Sequence, residues 1–267
     1  MIKVVVFISG GILPVLALAT IPTIFYAFMQ SNMEYAISLI VLALLTISIS
    51  YLIKKFVLPT RQLTTIQGFG AVGLSWIFMS LFGTIPYVLS GIDLGYTNIF
   101  FETVSGLTTT GSSILTDIEA VDKSLLIWRS TTQWLGGMGV IVLTITILPL
   151  LGSGGINLFK AESPGPSADR LTPKFKDTAK LLWIVYISLT ILETILLYYS
   201  GLNIFDAFNH SLTTLSTGGF STFNTSVSEF STLSKFIINI FMYLAGTSFI
   251  LLLKTIRSRS RSEEHTS

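Results

Sequence analysis

The lengths of the apolar runs constrain this chain more than any other feature. Residues 4–29, 35–53, 70–89, 125–151, 181–199 and 236–253 form six such runs, and a helix needs about 20 residues to cross a hydrocarbon core. Strands of a membrane barrel would be about ten residues long with alternating polarity, a pattern these runs lack. Charged residues make up 11% of the 267, against about 25% in soluble domains. The first run is too long for a secretory leader and no small-residue cleavage site follows it, so it counts as a helix. The chain reads as an all-α polytopic membrane protein.

Composition removes several function classes. There is no cysteine, which excludes disulfides, thiolate catalysis and cysteine metal sites. A net charge of +2 gives no case for nucleic acid. If the six helices alternate, Lys3, Lys54, Lys55, Arg61, Lys160, Arg170, Lys174, Lys176, Lys180, Lys254 and Arg257 fall on one side. The other side has Lys123 and Lys235, with Arg129 a few residues inside a helix. The excess of positive charge predicts a cytoplasmic N-terminus. Glu34, Asp93, Asp117, Glu119, Asp122 and Glu229 make the opposite face acidic. Such a face either concentrates cations or is simply a solvated surface.

A short run occurs twice in this background. Phe101 to Gly111 reads FETVSGLTTTG, and 107 positions later Phe208 to Gly218 reads FNHSLTTLSTG. Trp76 and Trp183 share that offset. The organisation follows: an N-terminal transmembrane hairpin over 1–57, a first repeat over 68–151, a loop over 152–177 on the basic side, and a second repeat over 178–257. Each repeat reads helix, short helix, hydroxyl–glycine run, helix. The loop is rich in Gly, Ser, Pro and charge, and its GSGG lacks the lysine and hydroxyl ending of a phosphate loop. The tail 261–267, RSEEHTS, matches the translation of a common sequencing-library adapter and is set aside. The natural protein is then expected to continue past about Ser260.

The repeated run suits re-entrant backbone. Residues 98–107 allow about two and a half helical turns, with Asn98 as the expected N-cap and Asn203 in the equivalent place before the second copy. Such a helix is too short to span, and non-helical backbone at depth is tolerated only inside protein or along a wet cavity. The partially negative C-terminal helix end favours a cation. Glycine permits the positive φ that aims successive carbonyls at one axis, and threonine adds a hydroxyl acceptor. Stacked carbonyls can replace the hydration shell of a monovalent cation. The runs hold no strong divalent-ligand cluster. Small-residue helix packing is the alternative for either run alone, and the duplication favours the ion path. A secondary transporter of another monovalent cation or small solute would instead show inverted repeats and helices broken mid-membrane.

At TTTGSS (108–113), WRSTTQWLGGMGVIVL (128–143), ILPLLG (147–152) and LSTGGFS (215–221) the chain resembles the TrkH/KtrB potassium-uptake superfamily, the TrkH branch most closely. The resemblance covers 1–257 and implies Trk-type K+ uptake by an ion-conducting subunit of the bacterial inner membrane. It implies four helix–pore-helix–filter–helix repeats around one path, of which this chain carries two, so the chain alone is not expected to conduct. The family's filter maps onto Thr109, Thr110, Gly111, Ser112 and Ser113, and onto Ser216, Thr217, Gly218, Gly219 and Phe220, with K+ expected at Thr109, Thr110, Ser216 and Thr217. Gly111, where a serine tends to admit Na+, implies K+ preference. A homodimer and a cytoplasmic TrkA-type nucleotide-binding subunit are the implied partners, with the loop over 152–177 a contact. No catalytic residue and no cofactor beyond the transported K+ are implied.

Other polar residues in apolar stretches are functional candidates by default. Glu102, on the first short helix, either braces the filter through backbone N–H groups or reaches the outer surface. Arg129 is expected to pair with an acid such as Glu102 or Asp122. Glu193 is expected to meet a polar group between helices, and His210 to be hydrogen-bonded structure. Gly136, Gly137 and Gly139 thin their helix for close packing. Asn224, Thr225 and Ser226 form a glycosylation sequon of a kind common by chance.

Overall fold

The computed structural model describes residues 2–57, 65–147, 175–247 and 249. The loop expected over 152–177, apart from its last three residues, and the tail 261–267 lie outside them. The described elements are helical: α1 Ile2–Ala19, α2 Ile21–Met29, α3 Met33–Phe56, α4 Thr65–Gly83, α5 Ile85–Leu89, α6 Tyr96–Leu107, α7 Lys123–Ile147, α8 Phe175–Tyr199, α9 Ile204–Leu215 and α10 Thr232–Gly246. Four segments among the described residues are long and apolar enough to span: Val5–Met29, Met33–Phe56, Ile66–Leu89 and Lys180–Tyr199. Six were expected. The fourth expected run is helix α7, whose first half carries buried Arg129, Ser130, Thr131, Thr132 and Gln133. The sixth is helix α10 as far as the described residues go.

The first and third spans are each broken by the same tripeptide, Thr-Ile-Pro, at Thr20–Pro22 and Thr84–Pro86. Proline lacks the donor that would continue the helical ladder. In both places the threonine hydroxyl turns back to donate to the carbonyl three residues earlier, Ala17 at 2.8 Å and Leu81 at 2.7 Å. Beyond the second break Tyr87 N bonds Thr84 O, and the Gly83 carbonyl accepts from Trp128 Nε1 at 3.1 Å. The hairpin turn between α2 and α3 is set by Ser31 in the left-handed region (φ 58°) and by Asn32, whose side chain caps Tyr35 N.

Burial is inverted relative to a water-soluble domain. Glu102, Arg129, Gln133, Glu193 and His210 are buried, while Phe25, Tyr199 and Tyr243 are exposed. Two apolar clusters bracket the polar centre. One joins the N-terminal hairpin to the first repeat through Leu16, Leu39, Tyr87, Leu107 and Trp128. The other joins Met138 of α7 to Leu182, Tyr186, Leu215 and Phe241 of the second repeat.

Helix α7 stands between the two, thinned at its middle by Gly136 and Gly137. A Cβ on Gly136 would run into the carbonyl of Leu107, the last residue of α6. A Cβ on Gly137 would lie 2.8 Å from Ser216 Cα, just past the end of α9. The adjacent glycines thus seat the ends of both short helices on one helix at one depth.

Overpacking a tight contact costs about 1–3 kcal/mol, and neither neighbour at these two sites is a flexible side-chain end. Gly136→Ala and Gly137→Ala are expected to lower the unfolding temperature in detergent by several degrees. Gly139→Ala, whose Cβ would meet, among the described residues, Trp76 at 3.5 Å, is expected to leave it nearly unchanged. Equal thermal shifts for all three would show that the seat does not exist.

Candidate functional site

Helices α6 and α9 have 12 residues each, about 18 Å at 1.5 Å per residue, too short for a hydrocarbon core of about 30 Å. Both enter and return on one side. Lys123, the first residue of α7, lies over the Phe205 ring near the start of α9 at 5.4 Å, and α9 ends against the middle of α7. The returning chain then comes back level with the start of α7, where Arg129 Nη1 donates to Ser221 O at 3.0 Å.

The two re-entrant segments share a backbone. Thr109 and Thr217 have φ 55° and 56°, and Gly111 and Gly219 have φ 76° and 77°. Thr109 N bonds Gly106 O and Thr217 N bonds Thr214 O, both at 2.9 Å. Thr110 N to Ser105 O and Gly218 N to Thr213 O are both 3.0 Å. The register of the repeat is therefore 108, one more than the sequence match suggests, and Gly111 corresponds to Gly219 rather than Gly218. The letters align Gly111 with Gly218, but the left-handed conformation that needs glycine falls one residue later. The second segment matching Thr109–Ser113 is Thr217–Ser221, so Ser216 takes the place of Thr108 as a helix C-cap.

Those left-handed turns leave carbonyls free. Among the described residues nothing donates to the peptide oxygens of Thr109, Thr110 and Gly111, or of Thr217, Gly218 and Gly219. The carbonyls above are taken: Ser112 O accepts from Ser105 Oγ, and Ser221 O from Arg129. Gly111 and Gly218 put the segments side by side, since a Cβ on Gly111 would strike Gly218 O.

Side chains hold this arrangement from behind. Glu102 and Arg129 form an ion pair at 2.7 Å, with side chains 0% and 3% exposed. The other Glu102 contacts run to the first segment: Ser113 Oγ donates at 3.0 Å and Ile114 N at 2.9 Å. The other Arg129 contacts run to the second, where its guanidinium also lies 3.6 Å over the Phe220 ring. Gln133 Oε1 accepts from Phe220 N at 3.0 Å. At the register of 108, Glu102 corresponds to His210. His210 Nδ1 donates to Asp206 O at 2.8 Å, leaving Nε2 to accept from Ser221 Oγ at 3.0 Å.

Two expected caps fare differently. Asn203 caps α9, its side chain accepting from Asp206 N at 2.9 Å. Asn98 does not cap α6. The helix begins two residues earlier, with Gly95 at the cap position (φ 70°), and Asn98 Nδ2 donates back to Leu94 O. A glycine in the left-handed region could make that turn without a polar cap, which the sequence reading did not weigh.

The loops that follow the two re-entrant segments are tied by Asn224. Its Oδ1 accepts from Ile118 N at 2.7 Å, its Nδ2 donates to Asp117 at 2.9 Å, and its backbone N donates to Glu119 at 3.0 Å. That hydrogen bond from Asn224 holds the Asp117 carboxyl below the usual carboxylate range. The contribution of the tie is present above the ordinary carboxylate pKa and is lost as pH falls through the lowered one. Sequence reading treated Asn224 only as a chance sequon; no local signal links it to a loop about a hundred residues away. Glu193 is buried on α8 beside Thr214 in the last turn of α9, with neither oxygen in hydrogen-bond geometry among the described residues.

Breaking a buried ion pair from one side costs about 3–5 kcal/mol. Glu102→Gln and Arg129→Met are each expected to destabilise strongly in chemical denaturation, and the double variant by less than the sum. Additive losses would show that the two groups act independently.

The chain as a whole is similar to known proteins. A family model described as "TrkH: Cation transport protein" matches residues 22–265. The Trk system potassium uptake protein TrkH of Halomonas elongata is 35% identical over 255 residues, 94% of this chain and 52% of the relative. The protein of that name from Escherichia coli K12 is 40% identical over 202 residues, 74% of this chain and 42% of the relative. The crystal structure of the potassium transporter TrkH from Vibrio parahaemolyticus superposes with a TM-score of 0.82 at 28% identity, over 97% of this chain and 52% of that one. The chain spans about half the length of the curated relatives it matches. It belongs to the TrkH family of cation transport proteins.

Proposed function

We propose that this chain supplies two adjacent walls of a K+ translocation path in a bacterial inner membrane, its N-terminus cytoplasmic, with K+ held by carbonyls of Thr109–Gly111 and Thr217–Gly219. The observation that carries this reading is the pair of matched segments whose carbonyls accept no hydrogen bond from the described residues. Peptide oxygens that deep need a partner, and a dehydrated monovalent cation is one. The C-terminal ends of α6 and α9 add partial negative charge beneath them. Ser112 and Ser216, included in the expected filter, sit at its edges: Ser112 O is already engaged, and Ser216 caps α9.

Glu102, Arg129 and Gln133 act in this reading as positioning residues. They fix the distance between segments, on which discrimination between K+ and Na+ depends. Transport needs no catalytic residue and no cofactor. The outer acids Asp117, Glu119 and Asp122 raise the local cation concentration. The relatives are named as Trk system potassium uptake proteins, which supports K+ as cargo. A homodimer and a cytoplasmic nucleotide-binding regulatory subunit complete the assembly in this reading.

A chimera tests it. Joined to the remaining half of the Halomonas elongata relative, the chain is expected to restore growth of a K+-uptake-deficient bacterium on low K+. Gly111→Ser puts a side chain on a residue with φ 76° and against Gly218 O. It is expected to admit Na+ and lower the K+/Na+ uptake ratio at least tenfold. Uptake with an unchanged ratio would remove Gly111 and its neighbours from the ion path.

A further inference from the structure

Away from the re-entrant segments, a cavity of about 530 Å³ lies between α1, α2, α7, α8 and α9. Its walls are nearly all hydrocarbon and aromatic, with Pro22, Trp134, Trp183, Phe208 and Leu212 among them. Leu18 and Ile191 at its edge are 65% and 55% exposed, so it opens sideways, toward the space a bilayer fills around spanning helices.

One helical turn above, the opening becomes polar. Phe205 precedes Phe208 by one turn on α9, and Tyr26 follows Pro22 by one turn on α2. The Tyr26 and Phe205 rings meet with centroids 5.2 Å apart, and Lys123 Nζ lies 5.4 Å from the centre of the same Phe205 ring. Gln30 Nε2 donates to the Tyr26 hydroxyl at 2.9 Å. Lys123 is exposed and forms no ion pair among the described residues. From Lys123 to Trp134, α7 descends about 16 Å at 1.5 Å per residue, close to half of a hydrocarbon core about 30 Å thick.

An unpaired ammonium and a phenol at headgroup level, above an apolar cleft one leaflet deep, form the complement of a phospholipid. We propose that this cleft binds an anionic phospholipid of the leaflet on the Lys123 side. One acyl chain lies in the cleft along the Trp134 and Trp183 rings, which pack edge-on with centroids 5.6 Å apart, and the phosphate sits on Lys123 and Tyr26. The site is independent of the ion path, so its failure would leave the filter reading intact.

The test is fluorescence quenching of the full chain in nanodiscs carrying phosphatidylglycerol or phosphatidylcholine brominated on the acyl chains. Trp134 and Trp183 are expected to be quenched, while fully buried Trp128 is spared. The Trp134→Phe/Trp183→Phe variant is expected to lose most of the quenching. Half-quenching should need about fivefold less of the anionic lipid, matching the roughly 1 kcal/mol one basic residue contributes near an anionic surface. Lys123→Gln is expected to erase that preference while keeping the quenching. Equal response to both lipids in the unmodified chain would mean ordinary surrounding lipid and overturn the proposal. Absence of quenching at Trp134 and Trp183 would mean protein fills the cleft, and would overturn it too.

Discussion

The buried contact between Arg129 and Glu102 is the joint on which this architecture turns. Two charges taken out of water are tolerated only when paired and hydrogen-bonded on their remaining valences. Here those valences are filled by the backbone of two segments distant in sequence: Ile114 N on the carboxylate and Ser221 O on the guanidinium. Neither charge can move without dragging a re-entrant segment with it. The ion pair thus fixes one dimension, the spacing between two strips of backbone, rather than serving mainly as a source of stability.

The repeat is symmetric in backbone and asymmetric in chemistry. At the register of 108, the left-handed threonines, the glycines and the serines that receive the bracing side chains all coincide. The braces differ: a carboxylate in the first repeat, an imidazole in the second. The positions matching Arg129 and Gln133 are Ile237 and Phe241, both buried and apolar. One polar helix, α7, therefore serves both segments, and α10 contributes packing. Duplication preserved the turn that frees the carbonyls and let its supports diverge.

Much of the fold was legible because water exclusion acts on whole segments. Run length and the duplicated hydroxyl–glycine stretch were enough to place the helices and the two short ones between them. What was misread was local. The 107 match aligned letters, Gly111 with Gly218, while the backbone aligns the residues that adopt positive φ. Gly95, which replaces Asn98 as the start of α6, acts through a missing side chain and leaves no polar signature. The paired Thr-Ile-Pro breaks were visible in the letters but lay inside runs long enough to pass as unbroken spans. The Asn224 tie depends on a partner loop about a hundred positions away, which no window along the sequence can see.

The central claim is that free peptide oxygens of the two segments hold a monovalent cation stripped of its water. Anomalous diffraction from crystals of the chain joined to the remaining half of the Halomonas elongata relative, grown in a thallium or rubidium salt, tests it most directly. A peak among the carbonyls of Thr109–Gly111 and Thr217–Gly219, lost on exchange into sodium, is the predicted result. Ordered density only at the acidic loops around Asp117 and Glu119, with those carbonyls facing nothing, would contradict it.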